Sequence, residues 1–159
     1  MRRVHIFAAL LGVAVLAVGG VAVAGFRSAA AASSRHDAGQ TCLGAATAAA
    51  QAIFSYDYKS FDAAVANGKS FTTGDFTNEY TQTTANLKTL AVQQQAVVRA
   101  EVSAAGVVDV QPGRVQLLLY VNQYRRNTAI TGEKVDQNRV VLTMVPDDNT
   151  CKVAKAEAI

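Results

Sequence analysis

Tyr56, Asp57 and Tyr58 stand consecutively, and with Tyr120 and Tyr124 they are the residues from which this chain could assemble an acid–base site. Proton transfer near neutral pH relies on a histidine or on a carboxylate with a raised pKa. No histidine follows His36. The plainer account of the cluster is a helix end, where Asp57 accepts local backbone hydrogen bonds and the two rings pack with their hydroxyls in water. No catalytic residue is assigned on this basis. Cys42, Cys151 and His36 make no workable metal-ligand set, and no cofactor is implied. In an exported chain the two cysteines fit a disulfide, with a pair of unpaired buried thiols as the alternative. In the chain-entropy account, closing so long a loop contributes about 4 kcal/mol.

Export is the reading of the N-terminus. Val4 to Phe26 is an apolar run that, as a helix, crosses a hydrocarbon core of about 30 Å. Arg2 and Arg3 precede it and keep the short side cytoplasmic. The expected organisation is a cytoplasmic N-terminus at 1–3, a signal anchor at 4–26, a juxtamembrane linker at 27–41 and one extracytoplasmic domain at 42–159. Cleavage after Ala24 is the competing reading, disfavoured because the apolar run exceeds the roughly 7–15 residues of a signal-peptide core. The formal charge of +3 belongs to the N-terminal flank. Setting aside Arg2, Arg3, Arg27, Arg35 and Asp37 leaves a neutral domain with no basic face for nucleic acid.

The elements that must position these residues follow from periodicity. Ser28 to Gln40 is small and polar and reads as a tether. Leu43, Ala46, Ala50, Ile53 and Phe54 form one stripe of a first helix. Ser60 and Gly68 bracket a short second helix, and Thr73 and Asp75 open a third along which Phe76, Tyr80, Thr83, Leu87, Leu90 and Gln94 recur. From about residue 96 the period becomes two, with Val98, Ala100, Val102 and Ala104 alternating with polar neighbours. Gln111-Pro112-Gly113 turns the chain into a strand apolar on both faces. The polar run Arg125 to Asn138 reads as a long connection, Val140 to Met144 as a strand, and Cys151 to Ala156 as the last one. Three helices followed by about four antiparallel strands make an α+β domain.

A set of motifs in this order resembles the Mce-associated membrane proteins of mycobacteria and related actinobacteria. It comprises Ser55-Tyr56-Asp57-Tyr58, Phe61-Asp62, Phe71 to Phe76 with Gly74, Glu79-Tyr80, Ala105-Gly106-Val107-Val108 and Leu119 to Gln123 with Asn122. The chain departs from that pattern at its end, where Asn149 to Val153 replaces a Trp-containing strand. The resemblance implies an NTF2-like exported domain in which Ser55, Tyr56, Asp57, Tyr58, Asp62, Gly74, Phe76, Tyr80, Gly106, Asn122 and Gln123 are structural. It also implies Mce complex proteins as partners, a role as a non-enzymatic accessory subunit in lipid or sterol transport, and room for a lipid ligand. The alternatives are a secreted or anchored NTF2-like protein that binds a small lipid by itself, and an NTF2-like enzyme.

Overall fold

The computed structural model describes residues 32–159. The expected cytoplasmic N-terminus, anchor and cleavage site lie outside the described residues. Among the described residues no helix is long and apolar enough to cross a membrane.

Helix α1 covers 32–54, so the stretch read as a tether is helical from residue 32 onward. The apolar period was hard to see there because small residues do the packing. Gly39, Cys42, Ala46, Ala49, Ala50 and Ile53 recur by three and four along the buried side, while Leu43 and Phe54 are half-buried at its margin. Strand β1 is only Tyr56–Asp57, and a 3-10 turn at Tyr58–Ser60 leads into α2, Phe61–Ser70. Ser60 makes no side-chain cap bond to α2. Gly68, expected just past the end of that helix, lies inside it and is buried.

Helix α3 spans Asp75–Gln93, entered through Gly74 at φ 60°. Its buried residues are Phe76, Tyr80, Thr84 and Ala91, with Leu87 half-buried, so the inward stripe is rotated from the expected one. Leu90 is half exposed. Thr84 can face inward because its hydroxyl donates to the Tyr80 carbonyl oxygen at 2.8 Å, leaving no polar atom unpaired.

The sheet has five strands rather than about four. It follows chain order β1-β2-β3-β4-β5, with β2 at Val97–Gln111, β3 at Arg114–Arg126, β4 at Lys134–Asp147 and β5 at Thr150–Ala158. All neighbours are antiparallel. Pro112 and Gly113, the latter at φ 72°, form the tight β2–β3 turn. Half of the run read as a long connection is ladder: Arg125 faces Lys134, and Asp136 faces Gln123, across β3 and β4. Polar residues extend these strands because they pair with one another, Arg125 with Asp136 as an ion pair and the Asn138 amide donating to Gln123 Oε1 at 2.9 Å.

The core lies between α1 and one face of the sheet. Val115, Leu117, Leu119 and Val121 of β3, Leu142 and Met144 of β4 and Val153 of β5 are almost fully buried against Cys42, Ala46, Ala49 and Ala50. Alanines on α1 let the helix sit close to large strand side chains. Truncating Leu117 to Ala would cost about 2–5 kcal/mol. The Cys42–Cys151 disulfide joins α1 to β5 across this core, with Cα atoms 5.1 Å apart and a sequence separation of 109.

Candidate functional site

The residues singled out for chemistry do not converge. Asp57 caps the 3-10 turn, its Oδ1 accepting from Lys59 N at 2.8 Å. Tyr56 packs edge-on against Phe61 with ring centroids 5.3 Å apart, and Tyr58 lies near the Lys59 ammonium. Tyr120 and Tyr124 stand on the opposite face of the sheet, away from the helices. There Tyr124 carries the Arg99 guanidinium over its ring at 4.3 Å, in the register that pairs these two residues. Ser55 accepts from the Ala100 amide at 2.9 Å, and Asp62 pairs with Lys88 to tie α2 to α3. Gly74 supplies a positive φ, Phe76 and Tyr80 are core, and Gln123 holds Asn138. Gly106 and Asn122 lie in strands β2 and β3, paired with Leu118 and Glu101 respectively.

One concavity is built from side chains of several elements. Phe54 at the end of α1, Phe61 and Val65 of α2, Phe76, Tyr80 and Leu87 of α3, and Gln123 of β3 enclose a volume of about 300 Å³. Glu79, Thr83 and Thr84 contribute its polar groups from α3. Its chemistry is that of a binding pocket, apolar walls with a few polar atoms that could orient a ligand. Burial raises the phenol pKa of Tyr80, and it also raises that of Tyr56, where the Arg125 charge opposes the effect in part. Both phenols therefore stay protonated at neutral pH and can act only as neutral hydrogen-bonding groups. Glu79 is exposed. Among the described residues no group of three or more His, Cys, Asp or Glu could hold a metal.

Phe76 and Tyr80 were expected as core residues and serve as core and pocket wall at once. Val65, Gln123 and Ala156 were missed as wall residues. Periodicity reports which side of an element faces inward, but not that several elements distant in sequence leave a gap between them.

The arrangement of three helices against a bulged antiparallel meander can now be compared with solved structures. The fold is one found in type IV secretion proteins. The chain is similar to an IcmL-like type IV secretion system protein from Legionella pneumophila, with a TM-score of 0.62 and 15% identity over 74% of this chain and 88% of that one. It is similar to CagV, a VirB8 homologue of the type IV secretion system of Helicobacter pylori, with a TM-score of 0.60 and 12% identity over 73% of this chain and 94% of that one. The periplasmic domain of DotI gives a TM-score of 0.60 and 16% identity over 74% and 91%. No protein-family model and no curated relative matches the chain.

These findings correct the resemblance to Mce-associated proteins, and with it the expected Mce complex partners and the role in lipid or sterol transport. The physical reason lies in the motif residues themselves. Asp57 is a turn cap, Gly74 a positive-φ entry to a helix, and Phe76 and Tyr80 are core. Each of these residues serves the local geometry of this α+β fold, so the set reflects structural roles and does not mark a lineage.

Proposed function

We propose that this chain is a non-enzymatic structural subunit of an envelope machine of the type IV secretion kind, anchored by residues 4–26 with its folded domain outside the membrane. The observation that carries the reading is the fold shared with the IcmL-like protein, CagV and DotI over nearly three quarters of the chain. It is supported by the use of the chemically able residues for structure: Asp57 as a cap, Tyr56 as packing, Tyr124 under Arg99. The test is recovery of the tagged full chain from cross-linked membranes of its own host. Co-recovery of membrane components of a secretion or conjugation apparatus is expected, at unchanged yield for Asp57→Asn and Tyr58→Phe. Recovery of the chain alone in the soluble fraction would sink the reading, as would loss of the complex in a well-folded Asp57→Asn variant.

The pocket favours a second reading, a binder of a small apolar ligand. Native mass spectrometry of the full chain would then show a stoichiometric adduct that Val65→Phe, which fills the pocket, removes.

A further inference from the structure

Strand β2 is fifteen residues long, yet β1 pairs with only Val97 and Val98 of them. Ser55 covers one more position by accepting from the Ala100 amide. Beyond that point no strand among the described residues lies on this side of β2, which makes Glu101 to Gln111 a free sheet edge with alternate backbone donors and acceptors turned outward. The opposite edge of the sheet is covered at Val153. The loop between α2 and α3 lies along β5, with Thr73 N donating to the Val153 carbonyl at 2.9 Å and Val153 N donating to that of Phe71 at 2.8 Å. Exposed Lys155 and Glu157 then add charge to β5.

On the β2 edge Gly39 of α1 lies beside the Val107 and Val110 side chains, but among the described residues no backbone hydrogen bond covers Glu101 to Gln111 from outside the sheet. Between Glu101 and Asp109 its sequence is Val-Ser-Ala-Ala-Gly-Val-Val, without a charge, and Val107 and Val108 are 38% and 61% exposed. Its irregularities, at Val102–Ala104 and Val107–Asp109, flank a run from Ala104 to Val107 whose pairing to β3 is regular.

We propose that a second copy of this chain docks its own β2 edge here, antiparallel about a two-fold axis at Gly106, so that the two sheets become one. The side chains are self-complementary about that residue. Ala105 comes opposite Val107, Ala104 opposite Val108, and Val102 opposite Val110, so small faces large or apolar faces apolar. Asp109 comes opposite Ser103 and Glu101 opposite Gln111, so no like charges meet. The same axis carries the irregularity at Val102–Ala104 onto positions 108–110, one residue along from the second at Val107–Asp109, and sets Ala105 to Val107 of each regular stretch against the other. An isologous edge pairing of this kind closes after two copies and leaves no further β2 edge open.

The test uses the full chain in detergent. Both of its cysteines are held in the disulfide, so an introduced cysteine is the sole reactive thiol. Gly106 has open space around the position of an added Cβ, as does Gly44 on α1, which serves as the control. With a short bismaleimide, Gly106→Cys is expected to give at least tenfold more covalent dimer than Gly44→Cys at equal concentration. Adding Val108→Lys, which alters an exposed side chain and places a charge on each edge, should lower that yield at least tenfold. Sedimentation of the cysteine-unmodified chain and of Val108→Lys alone checks the same point without the crosslinker: dimer for the first, monomer for the second. Equal crosslinking at Gly106 and Gly44, a yield indifferent to Val108→Lys, or a monomeric unmodified chain would each overturn the proposal.

Discussion

Gly68 of α2 leaves the space that the ring of Tyr80 on α3 occupies. A Cβ added at Gly68 would overlap the Tyr80 hydroxyl, stand 2.8 Å from its Cζ and lie 2.9 Å from the carbonyl oxygen of Ala52 on α1, so three helices meet at this glycine. In an open helix, replacing Gly with Ala is favourable by about 1 kcal/mol. Here the overlap with backbone and ring reverses the sign, and Gly68→Ala is expected to destabilise the domain by about 1–3 kcal/mol in chemical denaturation. Pairing it with Tyr80→Leu should cost less than the two changes summed, since the smaller side chain vacates the contact. Strict additivity would show that the clash is relieved elsewhere.

The same tyrosine gives the domain an alkaline limit. Burial holds the Tyr80 pKa above its ordinary 10.0, and Tyr56 shifts the same way for the same leading cause. Between the unfolded and folded pKa values the native state binds more protons than the unfolded one. The associated stability is therefore complete below pH about 10 and is lost as pH rises through the folded values. Tyr80→Phe should change stability at neutral pH by no more than about 1 kcal/mol and reduce its fall above pH about 10, measured by denaturant midpoints across that range. An unaltered alkaline slope would remove Tyr80 from the account.

How much of this was legible depends on side-chain size. The alternation of Val115 to Val121 and of Val140 to Met144 reads directly as strands because large apolar residues mark the buried face. Gly39, Cys42, Ala46 and Ala49 mark the buried side of α1 just as regularly, but small residues give a faint periodic signal and hid the helix before residue 42. The polar ends of β3 and β4 looked like loop because Arg125, Asp136, Gln123 and Asn138 satisfy one another across the ladder, a pairing invisible until the register is known. On α3 the inward stripe was misplaced by one residue at Thr83, since a threonine can bury its hydroxyl on the preceding turn, as Thr84 does. The pocket was illegible for a different reason: its walls come from α1, α2, α3, β3 and β5, and a gap between elements belongs to none of them.

The Cys42–Cys151 disulfide was legible from cysteine count and placement, and its contribution can be measured. It closes a loop with a sequence separation of 109 and joins two buried positions on α1 and β5. In the chain-entropy account such a loop contributes about 4–5 kcal/mol, and its removal from a small domain costs about 2–5 kcal/mol. Cys42→Ala/Cys151→Ala should therefore shift the denaturant midpoint sharply downward, and reductant should do the same to the parent chain once it unfolds. A double variant within about 0.5 kcal/mol of the parent would assign the stability to the alanine-rich α1 interface alone.

The last prediction separates backbone strain from crowding. Gly74 enters α3 at φ 60° and ψ −145°, and no atom lies within 4 Å of an added Cβ there. Gly106 has the same open surroundings but no positive φ. Side-chain contacts therefore predict that alanine is harmless at both sites, whereas backbone sterics predict a cost only at Gly74, of about 1–3 kcal/mol. Asparagine should not rescue Gly74, because its tolerance of positive φ applies to the left-handed helical region near ψ +47°, far from the angle adopted here. Thermal unfolding of Gly74→Ala, Gly74→Asn and Gly106→Ala tests this directly. The expected order is two destabilised variants of similar cost and one unchanged in stability; a neutral Gly74→Ala would mean that the entry to α3 can adopt another backbone path.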